Sequence, residues 1–243
     1  MSNKKSIICK DAYGKGLQAW FDGQRNAKFT VWCDIAETEK WEIGVFFRTY
    51  KEMPELEKKA LDLCKGRVLD VGAGAGSHAL YLQDKGLAVD ALDISEGAVD
   101  VMKRRGIGNV IEGDFFTYAA SEKYDTILML MNGIGIVQKI DSLHLFFQRV
   151  KTLLNEGGRV IVDSSNILYM YEEEDGSAVI DLNGKYYGEV EYRMDYGKMR
   201  GEKFNWLFID YDTFAEYATR FGFVCEKVYE DDHYLYLAEL RLV

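Results

Sequence analysis

The chain has 243 residues, 48% of them hydrophobic and 29% charged, and a formal net charge of −10. That length suits one large domain or one domain with an elaborated edge, and the composition predicts a packed soluble globule. The acidic balance argues against a general nucleic-acid surface, because phosphate contacts need clustered Lys and Arg. Cys9, Cys33, Cys64 and Cys225 stand far apart, with no CxxC pair and no neighbouring histidine, so neither a metal site nor a disulfide framework is expected. Met1 to Lys5 is polar and leads into no secretory apolar core. No run approaches the ~20 apolar residues of a membrane span. A cytoplasmic protein without membrane contact is expected.

Residues 11–21 read as a short helix anchored by Leu17, Trp20 and Phe21, and 29–35 and 41–47 as strands. Pro54 sits where a helix can start. A helix over 54–63 would place Leu56, Ala60 and Leu63 on one face and Glu55 and Glu57 near its positive end. From 66 to 164 strands alternate with helices. Strands are predicted at 67–71, 88–93, 109–112, 124–131 and 159–163, and helices at 77–85, 96–105 and 142–153. That alternation implies βαβ units and a parallel sheet.

Beyond 165 the pattern changes. Residues 172–175 read as a solvated loop. Residues 186–196 and 203–210 alternate, forming a hairpin with Tyr192, Trp206 and Phe208 on an aromatic face. That face suits core packing or a substrate lid, and the hairpin suits a pocket cover or a homodimer edge. A helix at 212–221, capped by Asp210 or Asp212, and strands at 223–229 and 234–243 close the chain. The expected organisation is an N-terminal extension, 1–53, covering the active site, then a domain, 54–243, carrying the hairpin at about 186–210.

The stretch Asp70-Val71-Gly72-Ala73-Gly74-Ala75-Gly76 is the most informative feature. It leaves a strand and enters a helix, the geometry that holds a nucleotide-like ligand against backbone N–H groups. The glycines could instead only pack the helix on the strand. Asp93 closes the next strand, where it can accept from ribose hydroxyls or cap the following helix. Asp114 follows the third strand, as a partner for an adenine amino group or as a turn residue, with Phe115 beside it. The strand ending at Met131 opens into Asn132-Gly133-Ile134-Gly135, small enough to admit a substrate. His78 is either a cofactor contact or a partly buried helix residue. Phe47, Arg48 and Tyr50 are the N-terminal candidates for the substrate side, and Arg48 could pair with a cofactor carboxylate or an acidic residue. Trp206 is a further substrate-side candidate.

The glycine stretch with Asp93 and Gly113-Asp114-Phe115 resembles the class I S-adenosylmethionine-dependent methyltransferases, closely over about 55–165 and again in the helix and two strands of 212–243. Position 77 is Ser, so the third glycine of a dinucleotide-binding loop is absent and a nicotinamide-dependent oxidoreductase is disfavoured. The resemblance implies an α/β, Rossmann-like, doubly wound, seven-stranded, mostly parallel sheet with the last strand antiparallel. By similarity, Asp70, Gly72, Ala73, Gly74 and Gly76 line the methionine part of S-adenosylmethionine. Asp93 takes the ribose and Ile94 flanks the adenine. Asp114 and Phe115 meet its amino group and ring, and Met131 and Asn132 lie near the sulfonium.

No nucleophile–base, metal or paired-carboxylate constellation is readable, so Asn132 is the candidate for positioning a substrate polar group. The expected activity is methyl transfer to a small-molecule acceptor, with a protein or RNA acceptor and a non-catalytic cofactor-binding protein as alternatives.

Overall fold

A computed structural model describes residues 7–173, 175, 177–181 and 184–243. Met1 to Lys5 and Glu174 of the acidic loop lie outside the described residues. In chain order the elements are β1 (Ile7–Ile8), α1 (Ala12–Phe21), β2 (Lys28–Cys33), β3 (Glu39–Glu42), α2 (Glu55–Leu63), β4 (Arg67–Val71), α3 (Ser77–Asp84), β5 (Ala88–Asp93), α4 (Glu96–Arg104) and β6 (Asn109–Glu112). They continue with β7 (Tyr124–Met129), α5 (Leu143–Leu153), β8 (Leu154–Ser165), β9 (Glu189–Tyr196), β10 (Met199–Arg200), β11 (Lys203–Leu207), α6 (Tyr211–Arg220), β12 (Phe223–Glu230) and β13 (Leu235–Leu242).

Seven strands form one sheet in the order β12-β13-β8-β7-β4-β5-β6. Strands β4 to β8 pair in parallel, and β13 runs antiparallel to β8 and β12. This is the expected Rossmann-like arrangement. Each central strand is apolar on both faces, as a sheet covered by helices requires. Leu69, Leu92, Ile127 and Val160 face the layer built on Phe146, Phe147 and Val150 of α5. Their neighbours Val68, Ala91, Leu128 and Ile161 face the layer shared with Leu56 and Ala60 of α2 and Leu82 of α3.

The N-terminal extension and the hairpin are parts of one structure. Strand β9 pairs with β11 on one edge and with β2 on the other, in a second, six-stranded sheet. A two-stranded hairpin leaves open edges and is marginal by itself, whereas a third strand stabilises it. The register places Val31 opposite Met194, Cys33 opposite Tyr192 and Phe204 opposite Tyr192, which makes one apolar face. Thr30, Trp32, Glu191, Arg193, Asp195 and Lys203 occupy the alternate positions.

The expected strand at 41–47 is corrected: β3 ends at Glu42, and Ile43–Phe47 forms a 3-10 turn. The run Ile43-Gly44-Val45-Phe46-Phe47 lacks strand alternation, and the turn buries Ile43 and stacks Phe47 on Trp20 at 4.1 Å. Strand β8 begins and ends beyond the expected 159–163, and the hairpin strands are shorter than 186–196 and 203–210.

Helix α1 docks on the first sheet's α4. Asp11 caps α1 by accepting from Gly14 N at 2.8 Å, and also accepts from Ser95 Oγ at 2.7 Å and Gly97 N at 2.8 Å. A Cβ on Gly97 would come within 2.6 Å of the Gly14 backbone. The Gly97→Ala substitution is therefore expected to lower stability by about 1–3 kcal/mol and to loosen α1. Urea denaturation followed by tryptophan fluorescence checks this, and an unchanged midpoint would contradict the close crossing.

Candidate functional site

A cavity of about 730 Å³ lies between the two sheets, at the C-terminal ends of β4, β5 and β7. Its floor is the glycine loop after β4. Gly72 and Gly74 adopt φ of 68° and 58°, values that favour glycine. A Cβ on Gly72 would meet nothing within 4 Å, and one on Gly74 would lie 2.8 Å from the Tyr13 hydroxyl. The loop thus presents bare backbone to the cavity.

Three buried carboxylates stand at the ends of parallel strands. Asp93 Oδ2 accepts from Gly74 N at 2.7 Å and Oδ1 from Ser95 N at 2.9 Å, so it pins the glycine loop to the start of α4. Burial raises its pKa, against the lowering effect of those N–H donors. Asp163 Oδ1 accepts from Gly133 N at 2.9 Å and Oδ2 from Met131 N at 3.1 Å, which fixes the loop after β7. Burial pushes its pKa up to about 6. Asp70 is 2% exposed, and its Oδ2 has no hydrogen-bond partner. Burial pushes its pKa up to about 6, with the His78 charge acting in the opposite direction.

Beside Asp70 lies a buried ion-pair cluster. Glu57 of α2 is 5% exposed; one of its oxygens pairs with Arg48 Nη2 and the other with His78 Nε2 at 3.0 Å. Burial by itself lowers the His78 pKa, but the Glu57 hydrogen bond and the Asp70 charge outweigh it, and the pKa is raised.

The loop after β7 carries two non-glycine residues at positive φ, Met131 at 65° and Asn132 at 57°. Asn132 Oδ1 accepts from Ser165 Oγ at 2.8 Å, and its backbone oxygen accepts from Trp206 Nε1 at 3.1 Å. Gly135 makes room for that indole, since a Cβ there would come within 1.9 Å of it.

The structure brings most of the sequence-predicted residues to one cavity. Asp70, Gly72, Ala73, Gly74 and His78 line the cavity floor. Asp93, Ile94, Asp114 and Phe115 line one end, and Met131, Asn132, Trp206 and Arg48 complete the walls. Ile94 is 72% exposed there. Asp114 Oδ1 accepts from Phe116 N at 2.7 Å, leaving Oδ2 for a ligand.

Three of the expected residues are not among those that line the cavity. Phe47 lies outside the cavity lining, packed on Trp20 and Phe21. Tyr50 also lies outside the lining and stacks on Tyr81 of α3 at 4.2 Å. Gly76 caps the start of α3, where a Cβ would come within 2.2 Å of Ile107, so close packing there leaves no room for a side chain.

Tyr13, Glu57 and Asp163 were not foreseen as site residues. A carboxylate inside an apolar strand, as in Ile161-Val162-Asp163, is a legible signal, because a buried charge needs partners. Glu57 read only as complementing the helix dipole, and nothing local in the sequence pointed Tyr13 at the glycine loop. Among the described residues no His, Cys, Asp and Glu cluster suits a metal ion, and no helix is long and apolar enough to cross a membrane.

Residues 68–158 match the methyltransferase-domain family. The chain is 38% identical to an S-adenosylmethionine-dependent methyltransferase from Bacteroides fragilis, solved in complex with S-adenosyl-L-homocysteine. That similarity covers 98% of this chain and 99% of that one, with a TM-score of 0.90. The CcbJ methyltransferase from Streptomyces caelestis shares the fold at 14% identity, over 97% of this chain and 100% of that one, with a TM-score of 0.65. An uncharacterized methyltransferase of Staphylococcus carnosus is 28% identical over 161 residues, 61% of this chain and 74% of the relative.

The bare glycine backbone and the orphaned Asp70 oxygen fit the amino-acid end of S-adenosylmethionine. An ammonium seated against Asp70 lowers its pKa. S-adenosylhomocysteine binding near pH 6, where free Asp70 titrates, is therefore expected to release protons. Calorimetry in two buffers of different ionisation enthalpy measures that release, and Asp70→Asn is expected to reduce it.

Proposed function

We propose that this chain, which belongs to the S-adenosylmethionine-dependent methyltransferases, transfers the methyl group to a small molecule held beneath the second sheet. The observation that carries the acceptor reading is the lining of the upper cavity. Val31, Tyr192, Met194, Phe204, Trp206 and Phe208 line it from β2, β9 and the β11 segment. Trp41 and Phe204 on this side and Met131 opposite are each 38% exposed although large and apolar. Lys203 is neutralised by Glu191. Such a lining suits a compact acceptor with apolar or aromatic surface. An RNA would call for clustered free cations instead.

When bound, the cofactor supplies a methyl group already activated on a sulfonium. The residues of the chain bind, orient and exclude water. Asp93 accepts one N–H on each oxygen, so each keeps a lone pair for the ribose hydroxyls. Asp114 offers Oδ2 to the adenine amino group, and Ile94 and Phe115 flank the ring. Asn132 positions the acceptor: Ser165 occupies its amide oxygen, so its Nδ2 is left to donate.

Asp93→Ala is expected to weaken S-adenosylhomocysteine binding by about tenfold or more, since the ribose loses its acceptor and the loop its pin. Calorimetry measures it. Phe204→Ser is expected to raise the acceptor KM several-fold with cofactor affinity unchanged. The acceptor class is tested with methyl-tritiated cofactor and cell extract separated into low-mass, protein and RNA fractions. Label is expected in the low-mass fraction, and label confined to protein or RNA would overturn the reading.

A further inference from the structure

We propose that Gln138 is a specificity-determining residue for the acceptor, its side-chain amide hydrogen-bonding an uncharged polar group at the end remote from the transferred methyl. This deepens the small-molecule reading above and rests on it. Gln138 ends the 3-10 turn Gly133–Val137, and Asn132 begins it. Both residues line the cavity.

The backbone at Gln138 is strained. Its φ is 70° and its ψ −43°, and across it Lys139 N donates to Val137 O at 2.8 Å. Three residues closed by such a bond at positive φ form the γ-turn of the rare, strained hand. Glycine would adopt it without a Cβ penalty, yet the chain carries glutamine there. The geometry is imposed from both flanks. Gln138 N donates to Gly135 O at 2.9 Å, and Ile140 N donates to Glu189 Oε1 of β9 at 2.9 Å. The second sheet thus helps to hold the turn that presents this side chain. Strain of this kind persists where the surroundings over-determine it, and it gathers at ligand sites.

The side chain does no work inside the fold. Other amides are committed: Gln18 to Asp100, Gln83 to the backbone of Gly106 and Gly108, Asn155 to Asp125. The Gln138 amide bonds no described residue, and the residue is exposed at the edge of the cavity. Its donors and its acceptor are free for a ligand.

A 3-10 turn rises about 2 Å per residue, so the backbones of Asn132 and Gln138 stand on the order of 10 Å apart. Ile136, on the turn between them, and Trp206 line the same chamber. That spacing describes an elongated acceptor. Its nucleophile lies by Asn132, its apolar body against Ile136 and the indole, and a hydroxyl, carbonyl or amide by Gln138. A neutral amide both donates and accepts, which suits an uncharged partner.

The test uses the full chain, methyl-tritiated cofactor and the low-mass fraction of cell extract as acceptor. The readout is the amount of fraction that gives half the saturating rate. Gln138→Met, similar in size but without the amide, is expected to raise that amount about three- to tenfold, with a smaller effect on the saturating rate. S-adenosylhomocysteine affinity in calorimetry is expected to stay within about twofold, which also reports that the variant is folded. Gln138→Gly relaxes the turn, so it is expected to raise the thermal midpoint by a few degrees while raising the half-saturating amount as Gln138→Met does. Gln138→Glu keeps the shape and places an anion beside an uncharged group, so a rise is expected there too. An unchanged amount with Gln138→Met, or a lower one with Gln138→Glu, would overturn the proposal. So would a thermal midpoint lowered by Gln138→Gly with no change in the half-saturating amount. A wild type that leaves the low-mass fraction unlabelled would instead remove the small-molecule reading, and this proposal with it.

Discussion

Burial of carboxylates at the ends of parallel strands is the constraint on which the site depends. Asp70, Asp93 and Asp163 close β4, β5 and the middle of the sheet at β8, all nearly without solvent. A buried carboxylate is tolerated only when donors surround it. Asp93 and Asp163 take those donors from backbone N–H groups of the glycine loop and the loop after β7. Each loop is therefore shaped by the charge beneath it. Asp70 alone keeps an oxygen without a partner. The scaffold is complete at two of the three positions, and the third is left to the ligand.

The second sheet exists for a related reason. An open parallel sheet binds ligands at its strand C-termini but leaves that crevice exposed to water. Here β2, from the N-terminal segment, and β9 and β11, from beyond β8, close over it by pairing across more than half of the chain. Their inward residues are apolar and their outward ones mostly polar or charged. Helix α1 is locked to α4 by Asp11 and by the Gly14–Gly97 contact. That lock places the Tyr13 hydroxyl over Gly74, so the N-terminal segment is part of the pocket wall as well as its cover.

Much of the first sheet was legible because its signals are local. Strands β4, β5 and β6 begin and end where their apolar runs and flanking glycines place them. The glycine loop, Asp93 and Asp114 were legible because their chemistry follows from their place after a strand. Of the second sheet the β9–β11 hairpin and the strand β2 were legible, but not their union, because β2 and β9 carry no mark of each other and only the folded register pairs them. Phe47 and Tyr50 misled for the same reason. An aromatic run beside a site looks like a cover, and whether it faces the pocket or the core depends on where the 3-10 turn points it. Arg48 read as a substrate-side candidate that could pair with an acidic residue, but nothing in the nine residues between them named Glu57, which read only as complementing the helix dipole, as that partner.

The two halves of the cavity meet at the loop after β7. Met131 and Asn132 both hold left-handed backbone angles, a strain of about 1–3 kcal/mol each that persists only where surroundings over-determine it. Asp163 holds the loop from the first sheet and Trp206 Nε1 holds it from the second. Asn132, the residue proposed to orient the acceptor, is thus gripped from both sides. It follows that Phe204, 38% exposed on the upper chamber wall and making no hydrogen bond to that loop, is free to vary with the acceptor. Trp206 is not, because replacing it would also release the loop that sets the geometry of transfer. Acceptor choice and methyl alignment are consequently separable along β11, between Phe204 and Trp206, which stand two residues apart on one face.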